Sequence, residues 1–351
     1  MSRRNRFWSF CFLLLTLAAG LLVLNVIARQ VQERQEQAAL SELPEGWQVL
    51  LRGENVMSVA EQDDVIWAGG RSGVYKIDRR SGALEGQMDW PWRVTYVTAV
   101  LVDHQGRLWV GHEEGVTVWD GNTHTRYTAA DVLPDNRVNA LYRDSADRIW
   151  VGTWTGAAYY DGSDWDVLTV EDGLAANMVN TIMEDSLGHL WFGAYAVPDG
   201  AVSIRRNDSW QHFSTSEGLP NNNVTAFLEV ERGIVWVGTG FLNRGGAAQF
   251  VHGDKGWALN RTMKKEDGLA GEKVRSLYRD NLGNIWFGSE FDGITITRDE
   301  SMLVLTEDDG LSHPEILSIL QDADGNIWLG TLDGITRLEY DTIRQISRSL
   351  E

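Results

Sequence analysis

Cysteine is nearly absent. The one thiol among 351 residues is Cys11, inside an apolar run, so disulfides, thiolate catalysis and cysteine-ligated zinc are excluded for residues 29–351. Proline is scarce as well: six residues stand against 36 glycines and 16 tryptophans, a ratio that points to a fold reusing one tryptophan and one glycine many times. Positive charge is short, with 31 Lys+Arg facing 50 Asp+Glu for a net −19. The first 28 residues hold three arginines and no acid, which leaves 28 basic against 50 acidic side chains, or −22, on the rest. So acidic a surface repels phosphate backbones, and no nucleic-acid partner is expected. Catalytic signatures are missing too: there is no Gly-x-x-x-x-Gly-Lys-[Ser/Thr], no Gly-x-Ser-x-Gly and no His-Glu-x-x-His. The seven histidines never come in ligand-spaced pairs, and no cofactor is expected. What remains, 43% hydrophobic and 23% charged, is the composition of a globular protein.

One long apolar run is present. Phe7 to Ala28 are 22 residues without a charge, flanked by Arg3, Arg4 and Arg6 before and Arg29 after. That is long enough to cross a hydrocarbon core as a helix, and the basic flank sets the N-terminus in the cytoplasm. Residues 1–28 are therefore expected to be a single-pass anchor in the cell membrane, with everything beyond lying outside. A cleaved signal peptide at Val26-Ile27-Ala28 is the alternative, releasing a secreted or periplasmic protein. Signal peptides have shorter apolar cores of about 7–15 residues, which favours the anchor. Residues 29–44 are strong helix formers of mixed charge ending at Pro44 and read as a juxtamembrane helical stalk.

From residue 45 the chain repeats itself. Trp-x-Gly returns in one register seven times, at Trp67, Trp109, Trp150, Trp191, Trp236, Trp286 and Trp328, with spacings of 42, 41, 41, 45, 50 and 42 residues. Before most of these tryptophans stands an Asp-x-x-Gly turn, at Asp103, Asp185, Asp280 and Asp322, with Asp144/Asp147 as a variant. An aspartate heading a turn whose glycine supplies positive φ makes a hairpin. Alternating strands of four to six residues surround it, without helical periodicity, giving four antiparallel strands per unit. Such a unit cannot bury both of its faces alone. The expected fold is thus all-β: a seven-bladed propeller of four-stranded blades over residues 45–351. Two segments compete to complete the last blade, Gly46–Leu50 and Thr342–Ile346; the N-terminal one is favoured because it would latch the ring.

The consensus resembles the two-component regulator propeller repeat. It is carried by Asp322-Ala-Asp-Gly-Asn-Ile-Trp-Leu-Gly-Thr331, by Gly334-Ile335, and by Asp-Gly-Leu at 172–174, 267–269 and 309–311, with Glu217-Gly218-Leu219 as a fourth instance. The resemblance covers about residues 45–345. It implies an extracytoplasmic sensory propeller of a membrane-bound bacterial regulator. No histidine kinase, receiver or DNA-binding module accompanies it in this sequence, so a signal is expected to leave through the anchor or through another protein. The resemblance to propeller lyases implies a rival, a metal-dependent enzyme, for which Lys273 and Arg275 beside His313 and Glu315 offer no persuasive base. An architectural subunit of a membrane complex is a further alternative.

Departures from the repeat mark the candidate site. The repeat tryptophans, in one register in every blade, are expected between sheets as core. The acidic pairs Glu171-Asp172, Glu266-Asp267 and Asp308-Asp309 precede Gly-Leu and read as turns rather than calcium ligands. Trp154, Tyr195 and Phe241, by contrast, occupy connections between second and third strands where other blades carry Arg71, His112, Asp292 or Asp333. These connections appear longer in blades 4 and 5, at 194–199 and 239–244, the latter ending on Arg244; insertions in repeat folds gather on the working face. The same face receives the connections entering each first strand, such as Asn136-Arg137, Asn177-Met178 and Glu272-Lys273. First-strand positions expected to face the channel are Met57, Thr98, Asn139, Asn180, Thr225, Arg275 and Leu317. The reading is a non-catalytic binding module. Its partner is another membrane or extracytoplasmic protein, or a small polar ligand, held by Trp154, Tyr195, Phe241, Arg244, Asn139, Asn180, Thr225, Arg275 and Lys273.

Overall fold

The computed structural model describes residues 43–195 and 200–351. Among them, twenty-eight strands form seven four-stranded antiparallel sheets. These are blade 1 (56–87), blade 2 (99–127), blade 3 (138–168), blade 4 (179–213), blade 5 (224–263), blade 6 (274–305) and blade 7 (316–338). The first strands of successive blades touch one another around the ring, and that of blade 7 touches that of blade 1, which closes it. The expected seven-bladed propeller is the fold observed, as one compact unit over Gly46–Glu351. The expected anchor and the stalk up to residue 42 lie outside the described residues; among those described, no helix is long and apolar enough to cross a membrane.

Each repeat tryptophan fills a gap between blades. The core divides into seven apolar clusters, each built around one of Trp67, Trp109, Trp150, Trp191, Trp236, Trp286 and Trp328 and drawing residues from that blade and the next. All seven rings are buried. Burying an aromatic of this size on two apolar walls is what makes the blades mutually dependent. The glycine two residues on is a close approach: a Cβ at Gly193 would sit 2.5 Å from Val224 Cγ1 of the next blade, so the sheets can only meet where there is no side chain.

The ring is latched by the N-terminal strand, Trp47–Leu50, which pairs antiparallel with Gly334–Leu338 as the outer strand of blade 7. The competing segment is not a strand. Residues Tyr340–Ser349 form an α-helix whose Ile343 and the following Leu350 join the cluster between blades 6 and 7. With the outer edge already taken, the segment's Ile343, Ile346 and Leu350 favour helical burial against that cluster instead. Its buried Ser347 hydroxyl accepts from Arg298 at 2.7 Å and donates to Asn284 Oδ1 at 3.1 Å.

A ring of side chains stitches the blades at the channel. The second residue of the first strand is a bulge in six blades, at Met57, Asn139, Asn180, Thr225, Arg275 and Leu317. A bulge re-aims its side chain. Thr98 Oγ1 donates to Val138 O at 2.6 Å, Asn139 Nδ2 to Val179 O at 3.0 Å, Asn180 Nδ2 to Val224 O at 3.0 Å, and Thr225 Oγ1 to Val274 O. In each case the acceptor opens the first strand of the next blade.

Candidate functional site

Two sets of connections leave opposite sides of the ring. Turns between first and second strands, and between third and fourth, form one side, here called the hairpin face. Connections between second and third strands, and those entering the next blade, form the loop face.

The hairpin face is occupied with holding the fold. Asp103, Asp144, Asp185, Asp280 and Asp322 are buried, and each accepts the indole N–H of its blade tryptophan at 2.8–2.9 Å. The other carboxylate oxygen caps two backbone amides of the turn, as at Asp144 with Ala146 N (3.0 Å) and Arg148 N (2.9 Å). The side chain four residues on closes the cage: Arg107, Arg148, His189, Asn284 or Asn326. At Asp103 these bonds and the Arg107 guanidinium hold the carboxyl below the usual range, although burial, the largest single influence, pushes the other way. The acidic pairs before Gly-Leu are likewise structural. Each caps a single 3₁₀ turn, Asp172 Oδ2 accepting from Thr169 N at 2.9 Å while Gly173 takes φ +113°.

The amides on the loop face also serve the backbone. Asn136, Asn177 and Asn222 accept through Oδ1 from the amides of Ala129, Val170 and Thr215, seven residues earlier, at 2.7–2.9 Å. Asn139, Asn180 and Thr225 make the blade stitches described above. The residues that sequence reasoning placed together fall here into two groups: the stitches around the channel, with Trp154 of blade 3 bonded to one of them, and a cluster between blades 4 and 7, with Arg244 at a hairpin tip opposite its Phe241.

That cluster is the centre of the candidate site. Lys273, buried, donates to Glu290 Oε1 at 2.9 Å and to Tyr195 Oη at 3.3 Å, and its ammonium lies 5.5 Å from the Tyr195 ring. The Tyr195 ring meets Phe241 edge-on at 6.3 Å. Gly240, at φ +156°, lets the blade 5 hairpin pass over Lys273, whose Cβ would lie 2.7 Å from a Cβ there. Arg275 pairs with the buried Glu315 at 3.0 Å, and Ser276 takes over its stitch, donating to Ile316 O at 2.9 Å. Burial raises the Glu315 carboxyl above its usual range and Glu290 adds to this, against the opposing pull of Arg275, Lys273 and His313. The result is two cations and two carboxylates from blades 5 to 7, under an aromatic pair from blades 4 and 5. Glu290 escaped the sequence reading because nothing in its local pattern marks it; the blade 6 hairpin, which pairs Val274 with Ser289, sets it beside Lys273.

The extra residues of blade 5 are not the insertion loop expected. They lengthen the hairpin, with strands Ile234–Phe241 and Arg244–Gly253 pairing as far as Phe241 opposite Arg244, around a turn at Leu242-Asn243. Beside this tip runs a groove of about 570 Å³ lined by Thr215, Asn221, Phe241, Leu242 and Arg244. On blade 3, Trp154 is 41% exposed, with Arg137 stacked 4.0 Å from its ring and its N–H donating to Asn139 Oδ1 at 3.1 Å. Leu242 at 67% and Phe291 at 58% are more exposed still, and Leu332 joins them. No exposed large apolar side chain lies on the hairpin face among the described residues; the others are on outer strands or on the loop face. Among the described residues, no group of three or more His, Cys, Asp or Glu converges as a metal site.

No curated protein matches the chain. Solved structures with the same fold include the extracellular domain of the putative hybrid two component system BT3049 from B. thetaiotaomicron, at 21% identity and a TM-score of 0.73, covering 86% of this chain and 42% of that one. The extracellular domain of the putative one component system BT4673 from the same organism follows at 18% and 0.66, covering 84% and 40%. The chain thus spans about two fifths of the length of these relatives. Virginiamycin B lyase from Staphylococcus aureus shares the fold at 13% and 0.63, covering 84% and 98%. At such identities the likeness is one of fold. The repeat itself is more specific: a family described as two component regulator propeller matches at residues 92–114, 132–155, 173–196, 218–241, 268–291 and 310–333. These segments run from the entry to a blade, across its first turn and tryptophan, to the loop face, and with six of them in register this chain belongs to the two-component regulator propeller family.

Proposed function

We propose that this propeller is a non-catalytic binding module of the sensory kind, held outside the cell by its N-terminal anchor, with the loop face as its working surface. It takes an extracytoplasmic or membrane protein, or a small polar ligand, over Tyr195, Phe241, Lys273 and Arg275. One observation carries this reading. Exposed apolar side chains gather on the loop face (Trp154, Phe241, Leu242, Phe291 and Leu332), in connections where the core needs none of them. Patches of this kind mark recognition surfaces. Membership of a regulator family, and extracellular domains among the proteins of like fold, support the sensory part.

The test is site-directed photo-crosslinking in native membranes. A crosslinking residue at 154, 241 or 291 should give an adduct of fixed mass, while one at 163, 207 or 255 on the hairpin face should not. For a small ligand, thermal-shift screening of the full chain against Phe241→Ala and Arg275→Gln is the parallel measurement. Adducts from the hairpin face alone, or ligands indifferent to both variants, overturn the assignment. Carbonate-resistant membrane association that disappears when residues 1–28 are removed tests the anchor.

A catalytic reading has one observation in its favour: Glu315 is a buried carboxyl held above its usual range within reach of Arg275. It requires a bound ligand to be released chemically changed, with Glu315→Gln binding but not converting it. Ligand recovered unchanged excludes it.

A further inference from the structure

Six of the seven blade indoles have a protein acceptor for their N–H. Five are the hairpin aspartates, and in blade 1 Trp67 donates to Gln62 Oε1 at 3.0 Å. Trp236 of blade 5 is the exception: its ring is buried and its Nε1 meets no acceptor among the described residues. The cause is legible in the sequence. The carboxylate stands six residues before the indole in blades 2, 3, 4, 6 and 7, and position 230 is valine. The aspartate-headed turn is replaced by a two-residue turn at Arg232-Gly233, between strands Val224–Glu231 and Ile234–Phe241. Glu231, which holds the place of Gln62, points to solvent and makes no bond to the indole.

A buried N–H without an acceptor is unfavourable and is rare in folded proteins. Trp236 lines a cleft of about 630 Å³ between blades 5 and 6, within the size range of small-molecule sites. Val230 lines it as well, so the place of the missing carboxylate borders the cleft. Two guanidiniums share that wall. Arg261 lies 5.2 Å over the Trp236 ring, and neither it nor Arg279 has an ion-pair partner among the described residues, in a chain with 50 acidic side chains. Arg298, also on the cleft, is taken by Glu351 at 3.1 Å. The acids of the lining, Glu231, Asp299 and Glu300, are exposed, while Gln249, Met263 and Phe287 make an uncharged inner wall. A planar carboxylate is the anion that matches an indole N–H flanked by guanidiniums.

We propose that this cleft binds a small organic carboxylate, one oxygen of which takes on Trp236 the place an aspartate takes in five other blades, with Arg261 and Arg279 as counter-charges. The site lies on the hairpin side and is independent of the loop-face reading. It is tested on the full chain labelled with ¹⁵N at tryptophan, with succinate as the probe and Trp236→Phe to assign the signal. Succinate should shift that one indole N–H saturably, and the neutral succinamide should not. Arg261→Gln and Arg279→Gln, at exposed positions that tolerate change, should each weaken the titration about tenfold. Val230→Asp restores the internal carboxylate, so it should shift the same signal without succinate and abolish the titration. A signal that succinate leaves unmoved overturns the proposal. So does an equal response to sulfate, which would make the cleft a general anion patch, and so does undiminished binding in Val230→Asp. If that variant does not fold, the arginine variants decide, and titrations equal to the parent's refute the site.

Discussion

On the hairpin face, blades 2, 3, 4, 6 and 7 set the same aspartate in the same turn, each holding an indole and two amides. On the loop face, the connections between second and third strands open instead with Arg71, Glu113, Trp154, Tyr195, Leu242, Glu290 and Leu332, no common chemistry among them. Both faces belong to one repeat, yet only one is uniform. The difference follows from what each must satisfy. A buried indole N–H and the amides of a tight turn need an acceptor in every blade, and one carboxylate six residues before the tryptophan meets all of these needs at once. A connection that faces water meets no such demand, so its side chains are free to serve recognition.

The comparison predicts a graded set of effects. Trp150→Ala should cost the most, about 3–5 kcal/mol, because it empties the seam between blades 3 and 4; equilibrium urea unfolding measures it, and a loss under about 1 kcal/mol would contradict the inter-blade role. Asp144→Ala should follow at about 2–4 kcal/mol, since it leaves the buried Trp150 indole and two turn amides without their acceptor. If instead it proves as mild as a surface change, the hairpin face is not the structural one.

Acid should expose a third contribution. His112 is fully buried, its Nδ1 accepting from Glu114 N at 3.3 Å and its Nε2 beside Thr117 Oγ1 at 3.0 Å, which needs a neutral ring. Burial, aided by Arg126, pushes its pKa down to about 4 from 6.5. Between those values the unfolded chain holds a proton that the folded chain refuses. Stability is therefore complete above pH 6.5 and is lost as pH falls towards 4, by about 2–3 kcal/mol for this group. His112→Gln should remove that part of the acid dependence when unfolding midpoints at neutral and acid pH are compared; an unchanged slope would assign it elsewhere. The smallest effect belongs to the loop face. Trp154→Ala and Phe241→Ala should shift stability by less than about 1 kcal/mol while weakening binding by about 1–2 kcal/mol. Large losses of stability would make these aromatics part of the core.

Much of the fold was legible because its elements are local. The aspartate turn, the tryptophan and the glycine lie within nine residues of one another, and the return of the tryptophan and glycine seven times, with the turn in five of them, implies the ring. The latch was half legible: Trp47–Leu50 resembles an outer strand, but the C-terminal segment resembled one too, and only competition for a single edge decided that it becomes a helix. The candidate site was read in part. Tyr195, Phe241 and Lys273 stood out as departures from the repeat and do converge. Asn139, Asn180 and Thr225 were expected to face the channel as binding groups, and they sit at bulges whose side chains bond the next blade.

By itself, then, the sequence determines the repeat, the number of blades and the residues that fill the seams, because turn chemistry, strand alternation and aromatic burial act over a few residues. Tertiary structure alone decides which charges meet. Glu290 reaches Lys273 across 17 residues and Glu315 reaches Arg275 across 40, while Tyr195 arrives from 78 residues away. The first of these pairs follows from the hairpin register of blade 6, which sets Val274 opposite Ser289. The other two follow from a closed ring, which brings the ends of distant strands to one rim, and no local pattern encodes that distance.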